Sequence, residues 1–242
     1  MLAKLILVCL LHLLPIHGFA QEDAFTLEGV LQRFTHAYGG FRDADALSSL
    51  SVKGTILQNG QTFDFLMRKK RPHSMRYSLS NESYSIITGY DGSQGWIRTK
   101  NNQQVSIDLL DQEARRKIRD QSRFDSPLFY HLQKRENQIE LIERISLDER
   151  SVLVIELIEH DSEARRYYLD HETAHIVRVD HLDADGKLSI QTLYRDYREV
   201  EGFPFAFEIE TRVNGETKSL AKVNSIDVNP GILSFYFAKP KG

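Results

Sequence analysis

The chain has one cysteine, Cys9, and it lies inside the first apolar run. No intramolecular disulfide can form, and a domain that starts after that run has neither a cysteine-based zinc site nor a thiol nucleophile. Methionine numbers 3, one of them Met1, so no methionine-rich adaptable surface is present. Positive charge is also short: 31 Lys and Arg against 34 Asp and Glu give a formal net charge of -3, with no extended basic segment. A polyanion would find little attraction, which excludes general nucleic-acid binding. Catalytic signatures are missing too. There is no glycine-rich phosphate loop, and Asp91-Gly92-Ser93-Gln94-Gly95 reads as a strand-to-strand turn, not a nucleophile elbow.

Metal sites fare no better. His171, His175 and His181 come close together in sequence, but His171 falls in a turn and no further ligand completes a tetrahedron. Asp183-Ala184-Asp185-Gly186 lacks the remaining positions of a calcium loop and reads as a hairpin turn. Glu156 and Glu159 read as surface charge. The sequence therefore implies no metal, no cofactor and no enzyme.

The one long apolar run, Leu5 to Ile16, comes after Lys4 and precedes Gly18-Phe19-Ala20, which supplies small residues at the expected cleavage positions. It is well short of the roughly 20 apolar residues that span a bilayer. Residues 1–20 therefore read as a secretory signal peptide and residues 21–242 as one exported domain, without a transmembrane span in the mature chain. The expected location is the periplasm of a Gram-negative bacterium.

Most of the exported domain reads as strand, with a helix at its start. Leu27, Val30, Leu31, Phe34 and Tyr38 recur at helical spacing behind Thr26, a good N-cap, and Gly39-Gly40 ends the helix. From Ser51 the period falls to 2. Runs at 52–57, 62–69, 74–79, 84–90, 95–99, 139–145, 152–158, 165–169, 175–182, 188–200, 204–213 and 218–228 are separated by turn signals such as Asn59-Gly60 and Asn214-Gly215. A short helical turn over 43–50 and a further one up to Lys134 are expected as well. Between the two groups of strands, Ile107, Leu110, Ala114 and Ile118 form a helical stripe over 106–120, with Arg115, Arg116, Lys117 and Arg119 largely elsewhere on the cylinder.

About twelve strands with so few helices predict a large antiparallel sheet curling toward a barrel, with amphipathic helices covering the apolar surface that its own side chains leave open. Alternation puts Phe63, Phe65 and Met67 on one face of a strand and Met75 and Tyr77 on one face of the next. With Tyr84, Ile86 and Trp96, and with Ile107, Leu110 and Ile118 of the expected helix, they are the candidate ligand-binding residues. The thin stripe at 106–120 predicts a movable lid.

Ordered pieces along the chain resemble the LolA-like periplasmic lipoprotein carriers, in particular the branch of outer membrane lipoprotein-sorting proteins. They are Ala37-Tyr38-Gly39-Gly40, Leu47-Ser48-Ser49-Leu50-Ser51-Val52-Lys53-Gly54, Tyr90-Asp91-Gly92 with Gly95-Trp96, and Phe124-Asp125-Ser126-Pro127-Leu128. Tyr167-Tyr168-Leu169-Asp170 with Glu172-Thr173, Asp196-Tyr197-Arg198-Glu199-Val200 leading through Phe203-Pro204 to Glu208-Ile209, and Ile226-Asp227-Val228-Asn229-Pro230 before Phe235 complete the series. The resemblance implies a mainly β, half-open barrel of about eleven antiparallel strands with helices over its mouth, and a cavity for acyl chains. It implies a lipid or acylated lipoprotein as partner, with an inner-membrane transporter or outer-membrane acceptor at either end of the transfer. The same fold would also serve a lipid or lipoprotein sensor that signals to a membrane partner, because fold does not fix function.

Overall fold

A computed structural model describes residues 26–40, 46–102, 104–124, 126, 128–129, 138–158, 164–183 and 185–240. The expected signal peptide and the helical turn up to Lys134 lie wholly or largely outside these residues. Helix α1, Leu27–Ala37, starts as its sequence dictates: Thr26 Oγ1 accepts the Gly29 N–H at 3.1 Å, and Gly39 and Gly40 succeed it at positive φ. The strands are β1 Ser49–Gln58, β2 Gln61–Lys70, β3 Ser74–Ser80, β4 Tyr84–Tyr90, β5 Gly95–Asn101 and β6 Gln104–Leu109, with helix α2 Gln112–Ser122 after them. Then come β7 Gln138–Leu147, β8 Arg150–Ile158, β9 Ala164–Asp170, β10 Ile176–Leu182, β11 Leu188–Val200, β12 Phe203–Val213 and β13 Glu216–Val228, and a 3₁₀ turn at Ser234–Phe237.

All 13 strands among the described residues belong to one antiparallel sheet in the order β6-β5-β4-β3-β2-β1-β13-β12-β11-β10-β9-β8-β7. Two meanders, each built from short hairpins, are joined through the β1–β13 pair. Asn59-Gly60 and Asn214-Gly215 turn with both residues at positive φ, as tight hairpins of right-handed twist require. The sheet does not close, since β6 and β7 remain its two edges. It is a half-open barrel, with thirteen strands where the resemblance implied about eleven.

Two segments depart from the sequence-based expectation. The helical turn expected over 43–50 gives way to strand at Ser49, where pairing of β1 with β2 begins, and its first residues lie outside the described ones. The segment 104–109 pairs with β5 from Asn101↔Gln104 to Trp96↔Leu109, so Ile107 is a strand residue and helix α2 begins only after Asp111, its N-cap. The helical spacing of Ile107 with Leu110 is a coincidence of two elements meeting. Local pairing with β5 outcompetes it because Val105 and Ile107 are β-branched.

Candidate functional site

Register fixes which side chains share a face, because directly paired residues point the same way. On the inner face, the one that carries the helices, Phe63, Phe65 and Met67 of β2 lie alongside Ile56, Gly54 and Val52 of β1. Leu79 and Tyr77 of β3 oppose Phe65 and Met67, and Ile86 and Tyr90 of β4 oppose Leu79 and Met75. Across the β1–β13 seam the same face continues with Ala221, Val223, Ile226 and Val228, and then with Phe203, Phe205, Phe207 and Ile209 of β12.

Three apolar clusters occupy this face. At the β7 end, Val30, Leu31 and Phe34 of α1 pack on Leu153, Ile155, Leu157, Tyr167, Leu169 and Val179. Tyr38, just past the helix, pins it: its hydroxyl lies 3.2 Å from that of Tyr197 and accepts the Ile176 N–H, while Tyr197 donates to the Ile176 carbonyl at 2.6 Å. Burial pushes both phenols above their ordinary value, so they stay protonated donors. At the other end Ile118 of α2 packs on Met75 and Tyr90, with Leu110 beside them.

Between these lies the third cluster. Leu50, Val52, Phe65, Phe207, Val223 and Val228 form its buried base, and Ile56, Met67, Tyr77, Leu79, Phe203, Phe205, Ala221 and Ile226 pack against it half-buried. No residue of α1 or α2 belongs to it; among the described residues, Leu47 and Phe124 are the contributions from outside the strands. Gly54 makes room here. A Cβ at this position would stand 2.1 Å from the Lys222 carbonyl oxygen and 2.7 Å from the Phe65 ring, so glycine lets β1 and β13 approach at their bulge with the Phe65 ring lying across it. Burial drives the Tyr77 hydroxyl up to about 12, so it stays protonated in the floor.

The expected ligand-binding residues therefore divide. Phe63, Phe65, Met67, Met75, Tyr77, Tyr84, Ile86, Leu110 and Ile118 share the inner face or pack onto it, and Phe63 meets Tyr84 edge to face at 6.4 Å. Trp96 does not. It opposes Gly89 and thereby shares the outer face with Arg76 and Arg68, where its ring is fully buried and its Nε1 donates to the Phe237 carbonyl at 2.8 Å. Ile107 opposes Arg98 on that same outer face. The reason is parity: Met75 and Tyr90 lead to Gly95, and Trp96 is one residue further on. Phe203, Phe205 and Phe207 are missing from the sequence-based candidates. Their strict alternation is a visible signal, but the seam that places β12 near β2 has no local trace in the sequence.

Among the described residues no group of three or more His, Cys, Asp or Glu side chains is placed to hold a metal. His175 stacks on Tyr197 at 4.4 Å between ring centres, and burial lowers its basicity. Asp183 Oδ1 accepts the N–H groups of Asp185 and Lys187, an ordinary turn. Glu156 pairs with Arg166 at 2.7 Å. No described helix is long and apolar enough to cross a membrane.

No protein-family model matches the sequence, and no curated protein matches it either. Solved structures do match in shape. A DUF1329 family protein from Desulfovibrio piger superposes with a TM-score of 0.62 at 9% identity, over 88% of this chain and 97% of that one. A putative outer membrane lipoprotein-sorting protein domain from Vibrio parahaemolyticus gives 0.59 at 11% identity, over 90% and 97%. A LolA superfamily protein from Nitrosomonas europaea gives 0.59 at 14% identity, over 88% and 98%. The half-open barrel with its two meanders and helix-bearing inner face is a LolA-like fold.

Proposed function

We propose that this protein is a non-enzymatic periplasmic carrier that holds a lipid, or the acyl chains of a lipid-modified protein, against the middle of its inner face. The observation that carries the reading is the half-buried apolar floor running from Tyr77 and Leu79 across the seam to Phe203 and Phe205, between two helices that contribute nothing to it. Such a surface is costly to leave in water and rewards a chain laid along it by about 0.8 kcal/mol for each methylene buried. The Vibrio parahaemolyticus structure of the same shape, described as putatively lipoprotein-sorting, supports the direction of this reading. Residues 1–20, as a signal peptide, would deliver the chain to the envelope.

Mass spectrometry of ligands retained after gentle purification tests the reading, alongside binding of an environment-sensitive fatty-acid probe. Wild type should retain lipid or bind the probe. Ile86→Asp and Phe205→Asp, on opposite sides of the seam and both half-buried, should each weaken probe binding by tenfold or more with the circular dichroism spectrum intact, because a carboxylate among acyl chains is poorly solvated. A folded wild type that binds neither lipid nor probe would overturn it.

A further inference from the structure

We infer that the cleft between helix α2 and the β4–β5 turn is the headgroup site for the carried lipid, and that it selects a phosphate-bearing, anionic headgroup. This rests on the carrier reading above and names the chemistry at one end of its ligand. The cleft has a volume of about 390 Å³ and is lined by Tyr90, Gly92, Ser93, Gln112, Arg115, Arg116 and Arg119. Three arginines line it, and no carboxylate is among the described lining residues. That is unusual in a chain of net charge -3, where acidic residues outnumber basic ones.

Three acidic side chains nearby are held by other groups. Glu113 binds Lys117 at 2.6 Å, Asp111 caps α2 through the Ala114 N–H, and Asp91 Oδ1 accepts from the backbone of Ser93 and Gln94 and from Ser93 Oγ within its turn. Asp120 lies 3.7 Å from Arg119, a pair open to solvent and worth little. Guanidinium forks match phosphate oxygens in pairs, and the Gln112 amide offers a further donor.

Position ties the cleft to the floor. Tyr90 lines the cleft and is also buried against Met75 and Ile118, while Met67 and Tyr77 pack against both that cluster and the central one. Packed side chains therefore connect the arginine cleft through Tyr90 with Met67 and Tyr77, so the cleft and the floor adjoin. An amphipath laid across both keeps its charge at the arginines and its chains on the floor.

The test uses vesicles of phosphatidylcholine alone and of phosphatidylcholine mixed with phosphatidylglycerol, with lipid bound per protein measured after separation. Wild type should favour the anionic lipid by about tenfold, and the preference should shrink as salt rises. Arg115→Gln combined with Arg119→Gln should abolish the preference and keep phosphatidylcholine binding; Arg115→Lys with Arg119→Lys should retain most of it. Equal uptake of both lipids by wild type, or a preference indifferent to salt, overturns the headgroup site and leaves the carrier reading standing. Uptake of neither lipid overturns both. Inorganic phosphate that protects the protein against heating at millimolar concentration, with no anionic-lipid preference, assigns the cleft to the free ion and overturns the lipid headgroup.

Discussion

Trp96 shows how one step of register separates a candidate ligand contact from a structural one. Its ring covers Gly89, where an added Cβ would stand 2.3 Å from the indole, and its Nε1–H is spent on Phe237. The rest of the C-terminal segment is fastened by the same patch: Arg76 donates to the Tyr236 carbonyl at 3.0 Å, and Lys70 Nζ to that of Ile232 at 2.8 Å. Gly89→Ala should therefore destabilise the fold by about 2–4 kcal/mol, comparable to truncating a buried aromatic, while leaving the inner face untouched. Urea unfolding read beside probe binding checks this, and ligand loss without loss of stability would contradict it. A second residue on the outer face should contribute to the acid limb of stability. Glu210 is held down to about 2, chiefly by the Arg212 hydrogen bond of 2.6 Å, with Thr217 and Arg195 assisting against the cost of burial. A carboxyl depressed in the folded state contributes fully above its ordinary 4.5 and loses that contribution as pH falls toward about 2. Glu210→Gln should cost about 1–2 kcal/mol at neutral pH, allowing for half-exposed arginines, and should flatten the acid limb of the stability curve; an unchanged limb would sink the assignment.

Helix α2 buries little of itself against the sheet. Of its eleven residues only Ile118 and Ser122 are buried, and an isolated helix of that length is marginal in water whatever its N-cap. One side chain, worth about 2 kcal/mol when buried, does most of the holding. Ile118→Ala should accelerate exchange of the α2 amides by about tenfold without altering those of β8 and β9, and bound lipid should change α2 exchange in the wild type. Identical α2 exchange with and without lipid would make it a fixed cover. The sequence announces this helix through Ile118 and the arginines, yet its periodicity places the start several residues early. Ile107 falls three residues before Leu110, and period alone cannot separate an edge strand from a helical turn at that spacing. Most other strands are legible within a residue or two because Asn-Gly turns and alternation agree, as they do on either side of Asn59-Gly60.

At the scale of the molecule, the pairing of β1 with β13 is what sequence order hides. It brings Val52 beside Ile226 across most of the chain's length, and without it the aromatics of β12 have no visible relation to those of β2. Hairpin neighbours arise from turns, whereas this seam arises from docking of two meanders on a shared core, which no local signal encodes. The result is a sheet with two free edges, β6 and β7, that is not braced by closure or by any disulfide. A ligand bridging the seam would then supply cohesion that the empty chain lacks. Binding to the folded state alone, at a hundredfold excess over Kd, adds about 2.7 kcal/mol. For a chain of this size that corresponds to a rise in Tm of about 5–10 °C. A single-chain phospholipid kept below its micelle concentration should produce this rise in the wild type, and Phe205→Asp should remove most of it while Gly89→Ala, destabilised from the outer face, keeps the same increment from a lower starting Tm. Equal increments in wild type and Phe205→Asp would show that the lipid acts elsewhere than on the seam.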